Sequence, residues 1–169
     1  GHKVGILGLG GLGHMAVKFA SSFGAEVTML SSSKSKEADA KKLGAHHFVL
    51  TSDENQMKSL KNHFDVILNT VSATHSYTPY LKLLNTNGTM IVVGAPPSPS
   101  EAPAMTLIAN RRSIMGSLIG GIAETQEMLD FCAEKNIVAD VEVIPMEYIN
   151  DAYERMLKSD VKYRFVIDM

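Results

Sequence analysis

Residues 4–30 read VGILGLGGLGHMAVKFASSFGAEVTML. Val4 to Leu7 is a short apolar run, a glycine cluster spans Gly8 to Gly13, and Met15, Ala16, Phe19 and Ala20 then recur at helical spacing. Gly24 stops that pattern, and Val27 to Leu30 is a second apolar run. The order predicts strand, tight turn, helix and strand within about 30 residues, the length of one β-α-β unit. Outward from this unit the alternation continues. Residues 35–43 predict a helix ended by Gly44, Phe48 to Leu50 a third strand, 53–61 a weak helix, 64–70 a strand and 77–84 a helix. Asn87-Gly88 predicts a turn into the strand Thr89 to Val93. Prolines at 96, 97, 99 and 103 make 95–103 a loop, because proline serves neither a helix interior nor a central strand. Beyond it, Ser113 to Leu118 reads as a strand and Thr125 to Lys135 as an amphipathic helix. Val141 to Ile144, Tyr148 to Leu157 and Arg164 to Ile167 then read as strand, helix and strand. Parallel strands need crossovers, so this alternation predicts an α/β fold, a doubly wound parallel sheet with helices on both faces. Such sheets bind ligands at the carboxyl ends of their strands.

The bulk properties narrow the function. At 169 residues the length suits one domain. A net charge of -2 gives no general attraction to nucleic acid or to an anionic membrane, so neither is an expected partner and any anion site must be local. No apolar run approaches the roughly 20 residues that span a bilayer, and no secretory signal opens the chain. The single cysteine, Cys132, can make neither an internal disulfide nor a multi-thiolate zinc cage, which points to a reducing cytoplasm. Gly1 leads almost directly into a strand without an initiator methionine, as expected of a chain cut from a longer protein.

Gly8, Gly10 and Gly13 form G-x-G-x-x-G between the first strand and the first helix. The spacing has a mechanism: one glycine permits the turn, one lets a pyrophosphate approach the backbone, and one lets helix and strand pack closely. The helix start offers unpaired N–H groups and a positive dipole end to the phosphates. In this context the motif predicts a Rossmann dinucleotide-binding domain, with a plain glycine-rich turn as the bland alternative. The second strand ends at Ser31, where NAD-specific domains place an acid for the ribose hydroxyls. Here the sequence is SSSKSK, with hydroxyls, two lysines and no carboxylate, a composition that welcomes a 2′-phosphate and predicts NADP(H). The competing reading makes the serines, Ser35 especially, helix caps and the lysines a solvated surface.

The blocks GLGGLGHMAVKFA, SSSKSKEADAKKLGA, DVILNTVSA, IVVGAP, GSLIGG, ETQEMLDFCAEKNI and YINDAYERMLKSDVKYRFVID follow one another along nearly the whole chain. In this order they resemble the zinc-dependent medium-chain alcohol dehydrogenases, and within them the cinnamyl alcohol dehydrogenases. The resemblance implies that Gly8, Leu9, Gly10, Gly11, Leu12 and Gly13 bind the pyrophosphate. It assigns the 2′-phosphate to Ser31, Ser32, Ser33 and Lys36, and the nicotinamide side to Thr70, Val93, Gly94, Ser117, Leu118 and Ile119. It implies an NADP(H)-binding domain over 1–136, and a segment 137–169 that returns to a catalytic domain. It further implies an alcohol or aldehyde substrate, and a catalytic zinc whose ligands lie outside this sequence, so that the chain alone is expected to be inactive and no catalytic or metal-binding residue is assigned within it. A homodimer through 105–118, with the strand Ser113 to Leu118 pairing with its twin, is implied as well; an apolar edge strand favours such closure.

The remaining candidates read as structural. His14 reads as packing or polar support near the helix start. His46 and His47 are strand neighbours and point to opposite faces, and His2, His63 and His75 lack partners at metal-ligand spacing. Cys132 reads as a small buried residue beside Phe131, and Arg111-Arg112 as a solvated turn before a strand. No G-x-S-x-G motif supports hydrolysis. Two alternatives to an enzyme part remain, a stand-alone nucleotide sensor and a Rossmann-like methyltransferase. SSSKSK speaks against the latter, whose cofactor carries no phosphate.

Overall fold

The computed structural model describes residues 1–169. Its first part follows the predicted alternation: β1 (Lys3–Leu7), α1 (Gly11–Ser22), β2 (Glu26–Ser31), a 3-10 turn (Lys34–Lys36), α2 (Glu37–Lys42) and β3 (His47–Leu50). The second part runs α3 (Glu54–Ser59), β4 (Phe64–Asn69), α4 (Thr78–Leu81), β5 (Leu84–Val92), α5 (Ala104–Ile108) and β6 (Ser113–Gly116). The six strands form one parallel sheet in the order β3-β2-β1-β4-β5-β6. The order reverses between β1 and β4, and this switch opens a crevice at the carboxyl ends of the two strands.

Side-chain alternation along the strands divides the core in two. Leu7, Leu30, Val49, Ile67 and Met90 face one way and pack with Tyr77 and Leu81 of the α4 region. Ile6, Val27 and Met29 face the other way, against Val17 of α1 and Ala40 of α2. Each fully buried side chain of this size contributes roughly 1.5–3 kcal/mol, so helices on both faces are needed to collect the whole gain.

After the sheet come α6 (Ile122–Lys135), β7 (Val141–Pro145), α7 (Ile149–Leu157) and β8 (Arg164–Asp168). β7 and β8 pair with each other in parallel as a separate two-stranded sheet. This last segment is tied to α1. Phe131 of α6 packs near Phe19 and Phe23, and Lys18 Nζ donates to the Val138 carbonyl at 2.7 Å and to the Asp140 carboxylate at 2.9 Å. No helix is long and apolar enough to cross a membrane.

Several local expectations are corrected. Asn87-Gly88 does not precede a strand; it lies inside β5, which starts at Leu84. The ladder absorbs it by a register shift, Phe64 opposing Leu84 and Val66 opposing Thr89, with Asn87 at φ 65°. The helix expected over 77–84 shrinks to Thr78–Leu81, because Leu84 is claimed by that ladder. Ser35 caps nothing: its hydroxyl lies 2.8 Å from that of Ser33. Cys132 is half-buried, with its Sγ 3.6 Å from the Met128 sulfur. Arg112 is no solvated turn residue. Its guanidinium donates to the carbonyls of Leu84 and Thr106, both at 2.9 Å, and to Asn62 Oδ1 at 2.7 Å. It thereby ties α5 and the turn after α3 to the start of β5.

Candidate nucleotide-binding cleft

The G-x-G-x-x-G turn leaves β1 at Gly8, whose φ of +91° is a conformation that L side chains rarely adopt. A Cβ placed on Gly13 would lie 2.0 Å from the Gly8 carbonyl oxygen, so α1 crosses β1 at backbone contact. Gly10 differs from both, since a Cβ there would meet nothing within 4 Å. The space over Gly10 is therefore open where a phosphate would approach. Gly10 begins α1 without a capping side chain, and no acid stands in the first turn. The leading N–H groups and the positive end of the helix dipole thus face the opening. Thr70, at the end of β4, donates its hydroxyl to the carbonyls of Leu7 (2.8 Å) and Gly8 (3.2 Å), fixing the turn from below.

Above the turn lies a cleft of about 860 Å³, within the size range of cofactor sites. One wall is Gly8 to Leu12, Ser35, Lys36, Asp39 and Thr70 to Ser72. The other is a strap of the C-terminal segment, Ser159 to Phe165 with Met156. His14 links the two. It is buried, its ring stacks on that of Tyr163 with centroids 4.7 Å apart, Nε2 accepts from the Asp140 N–H at 3.3 Å, and Nδ1 lies 3.3 Å from the Gly10 carbonyl. These partners require a neutral ring carrying its proton on Nδ1. Burial, the main cause, accordingly lowers the His14 pKa, with Lys18 adding to the effect. Burial and the charges of Asp39 and Asp140 push the Tyr163 phenol up to about 12, so it stays protonated.

The charged lining of the cleft is unevenly satisfied. Asp160 is bound by Arg155 at 3.1 Å and Asp39 by Lys162 at 2.7 Å. Lys36 donates only to the Leu9 carbonyl at 3.0 Å, and the Arg164 guanidinium lies over Gly11, within 3.5 Å of where its Cβ would be. Both acids are neutralised while Lys36 and Arg164 carry no carboxylate partner, a charge balance that suits an anion.

The residues implied for the cofactor occupy the carboxyl edge of the sheet in differing ways. Gly8 to Leu12, Lys36 and Thr70 line the cleft. Ser31 to Ser33 stand beside it: Ser31 is buried and accepts from the Ser33 N–H at 3.2 Å, Ser32 is exposed and Ser33 half-buried. Val93 and Gly94 follow β5, both donating to the Asn69 carbonyl. Ser117 donates to the Val92 carbonyl, and Leu118 and Ile119 project beyond β6, about nine-tenths exposed. Lys34, the other lysine of SSSKSK, turns away to pair with Glu37 and lie over the Phe48 ring. Asp39, Lys162 and Arg164 were not legible as cleft residues. Asp39 lies one helical turn beyond Lys36, a spacing that offered a signal, whereas the strap residues reach the cleft only through the chain's return. No three His, Cys, Asp or Glu side chains come together in a way that could hold a metal ion.

The fold and the cleft define a Rossmann-type α/β unit. Residues 11–134 match the model of the zinc-binding dehydrogenase family, and the chain belongs to that family. It is 55% identical, over 100% of its length, to cinnamyl alcohol dehydrogenase 2 of Rauvolfia serpentina, of which it covers 47%. A solved cinnamyl alcohol dehydrogenase from Sorghum bicolor matches 99% of the chain with a TM-score of 0.97 and 49% identity, over 48% of that structure. The structure of CAD from Helicobacter pylori complexed with NADP(H) matches 100% of the chain with a TM-score of 0.89 and 40% identity, again over 48% of that structure. The chain thus spans about half the length of the relatives it matches.

Proposed function

We propose that the chain binds NADP(H) as the cofactor-holding part of a zinc-dependent alcohol dehydrogenase that interconverts alcohols and aldehydes in a reducing cytoplasm. The observation that carries this reading is the cleft over Gly10, with its two acids paired and Lys36 and Arg164 left for phosphates. The NADP(H) complex of the Helicobacter pylori relative supports it. In this reading residues 1–136 hold the dinucleotide and 137–169 lead back to a catalytic domain.

Bound NADP(H) supplies hydride chemistry at the nicotinamide. The chain's residues bind and orient it. The N–H groups of the Gly8–Gly13 turn take the pyrophosphate, and Arg164 adds a cation above them. Lys36, with the hydroxyls of Ser31, Ser32 and Ser33, takes the 2′-phosphate. Thr70, Val93, Gly94, Ser117, Leu118 and Ile119 flank the nicotinamide. The chain's own side chains do not fit a zinc site, so no step of the carbonyl polarisation is assigned to them.

Replacing Ser31 by Asp together with Lys36 by Ala is expected to make NADH the tighter ligand in calorimetric titration. The acid would repel the 2′-phosphate and offer the ribose hydroxyls an acceptor. An unchanged order of affinities would remove these residues from the 2′-phosphate site.

The same reading includes a homodimer through 105–118. β6 is paired on one side only, and Met105, Ile108 and Met115 are more than half exposed. A second copy of β6 would satisfy the bare backbone edge. Ile114 packs inward against the core, so Met115 is the cleaner probe. Light scattering is expected to give a dimer mass for the chain and a monomer mass for Met115→Lys; a dimer that survives the lysine would place the interface elsewhere.

A further inference from the structure

We propose that Lys162 is a specificity residue for the phosphorylated cofactor, acting through Asp39: by neutralising that carboxylate it allows the cleft to accept the 2′-phosphate. The inference rests on the NADP(H) reading above. Asp39 is on α2, one helical turn after Lys36 and on the same side of it, and both line the cleft with Ser35. The one face of α2 thus presents the lysine assigned to the 2′-phosphate and, beside it, a carboxylate that would repel that phosphate. The phosphate carries about -1.5 to -2 charge at neutral pH. With the Asp39 side chain only 29% exposed, solvent screens the repulsion incompletely.

Lys162 resolves the conflict from across the cleft. Its Nζ lies 2.7 Å from Asp39 Oδ2, and its position is fixed at the backbone, where its N–H donates to Glu142 Oε1 at 3.0 Å. Glu142 is in turn held by Arg155 at 2.8 Å, and Arg155 also ties down Asp160, the other acid of the cleft. The C-terminal segment thus delivers a cation to each of the two carboxylates that line the cleft, Lys162 to Asp39 and Arg155 to Asp160. The lysine of this pair is 65% exposed, and an ion pair reaching from the surface adds little to stability, so its removal should be read in cofactor selectivity more than in folding.

The test titrates the chain with NADPH and with NADH, by calorimetry at low ionic strength, for the unmodified chain, Lys162→Gln, Asp39→Asn and the double variant. Lys162→Gln is expected to weaken NADPH about tenfold and NADH less than about twofold, since only NADPH carries the extra phosphate. The double variant is expected to regain NADPH affinity to within about twofold of the unmodified chain, because no carboxylate remains to be neutralised. Equal losses for both cofactors would show that Lys162 merely holds the strap, and failure of Asp39→Asn to rescue would remove Asp39 from the account; either overturns the proposal. An unmodified chain that does not prefer NADPH would overturn the NADP(H) reading itself. A preference for NADPH left unchanged by Lys162→Gln would overturn this inference alone. Thermal unfolding of each variant separates a binding effect from a folding one.

Discussion

Gly10→Val is expected to abolish dinucleotide binding while leaving the fold in place. Gly10 has φ −142° and ψ −155°, an extended backbone open to any residue, and an added Cβ would touch nothing within 4 Å. The fold therefore does not require glycine here, and loss of a favourable N-cap residue should cost about 1 kcal/mol. The ligand does require it. Valine would fill the space over the first turn of α1 and keep a pyrophosphate from the N–H groups that bind it. NADPH affinity should fall by about a hundredfold or more, since both the close approach and the alignment with the helix dipole are lost. Calorimetry beside thermal unfolding checks this; unaltered NADPH affinity would mean that the cofactor does not cross Gly10.

Gly13→Val, three residues on, is expected to do the opposite and damage the fold itself. The new Cβ would sit 2.0 Å from the Gly8 carbonyl oxygen and 3.3 Å from Thr70 Oγ1. The first of these is backbone and cannot swing aside. α1 would have to lift from β1, loosening Val17 from the core and breaking both the Thr70 clasp and the His14 contacts. The loss should reach about 3 kcal/mol or more, a large part of the stability of a domain this size. Urea unfolding followed by circular dichroism should show the midpoint fall. A native midpoint would contradict the close packing of α1 on β1. Two glycines of one motif thus separate, one serving the ligand and the other the fold.

The parallel sheet and the glycine turn were legible in sequence because they rest on local signals: apolar runs of strand length, helical spacing in between, and glycines at spacings with a steric cause. Local signals mislead where tertiary partners decide. Asn87-Gly88 has the composition of a turn, yet neighbouring strands hold it inside β5 across a register shift. Arg112 beside Arg111 looks like surface charge, but the carbonyls of Leu84 and Thr106 accept its guanidinium and draw it inward. His14 stands near the helix start as polar and packing support, yet its partners Tyr163 and Asp140 are more than 120 residues away and no local pattern names them. The cleft shows the same division. Its floor is written in GLGGLG, whereas its roof of Lys162 and Arg164 depends on how the chain returns.

The central claim is that SSSKSK and the cleft beside it select the 2′-phosphorylated cofactor. Its most direct measurement is a paired calorimetric titration of the unmodified 169-residue chain with NADPH and NADH at one fixed salt concentration. The predicted result is a single site per chain that binds NADPH at least about tenfold more tightly, the gap narrowing as salt is raised and the phosphate charge is screened. Equal affinities, or a tighter NADH complex, would contradict it.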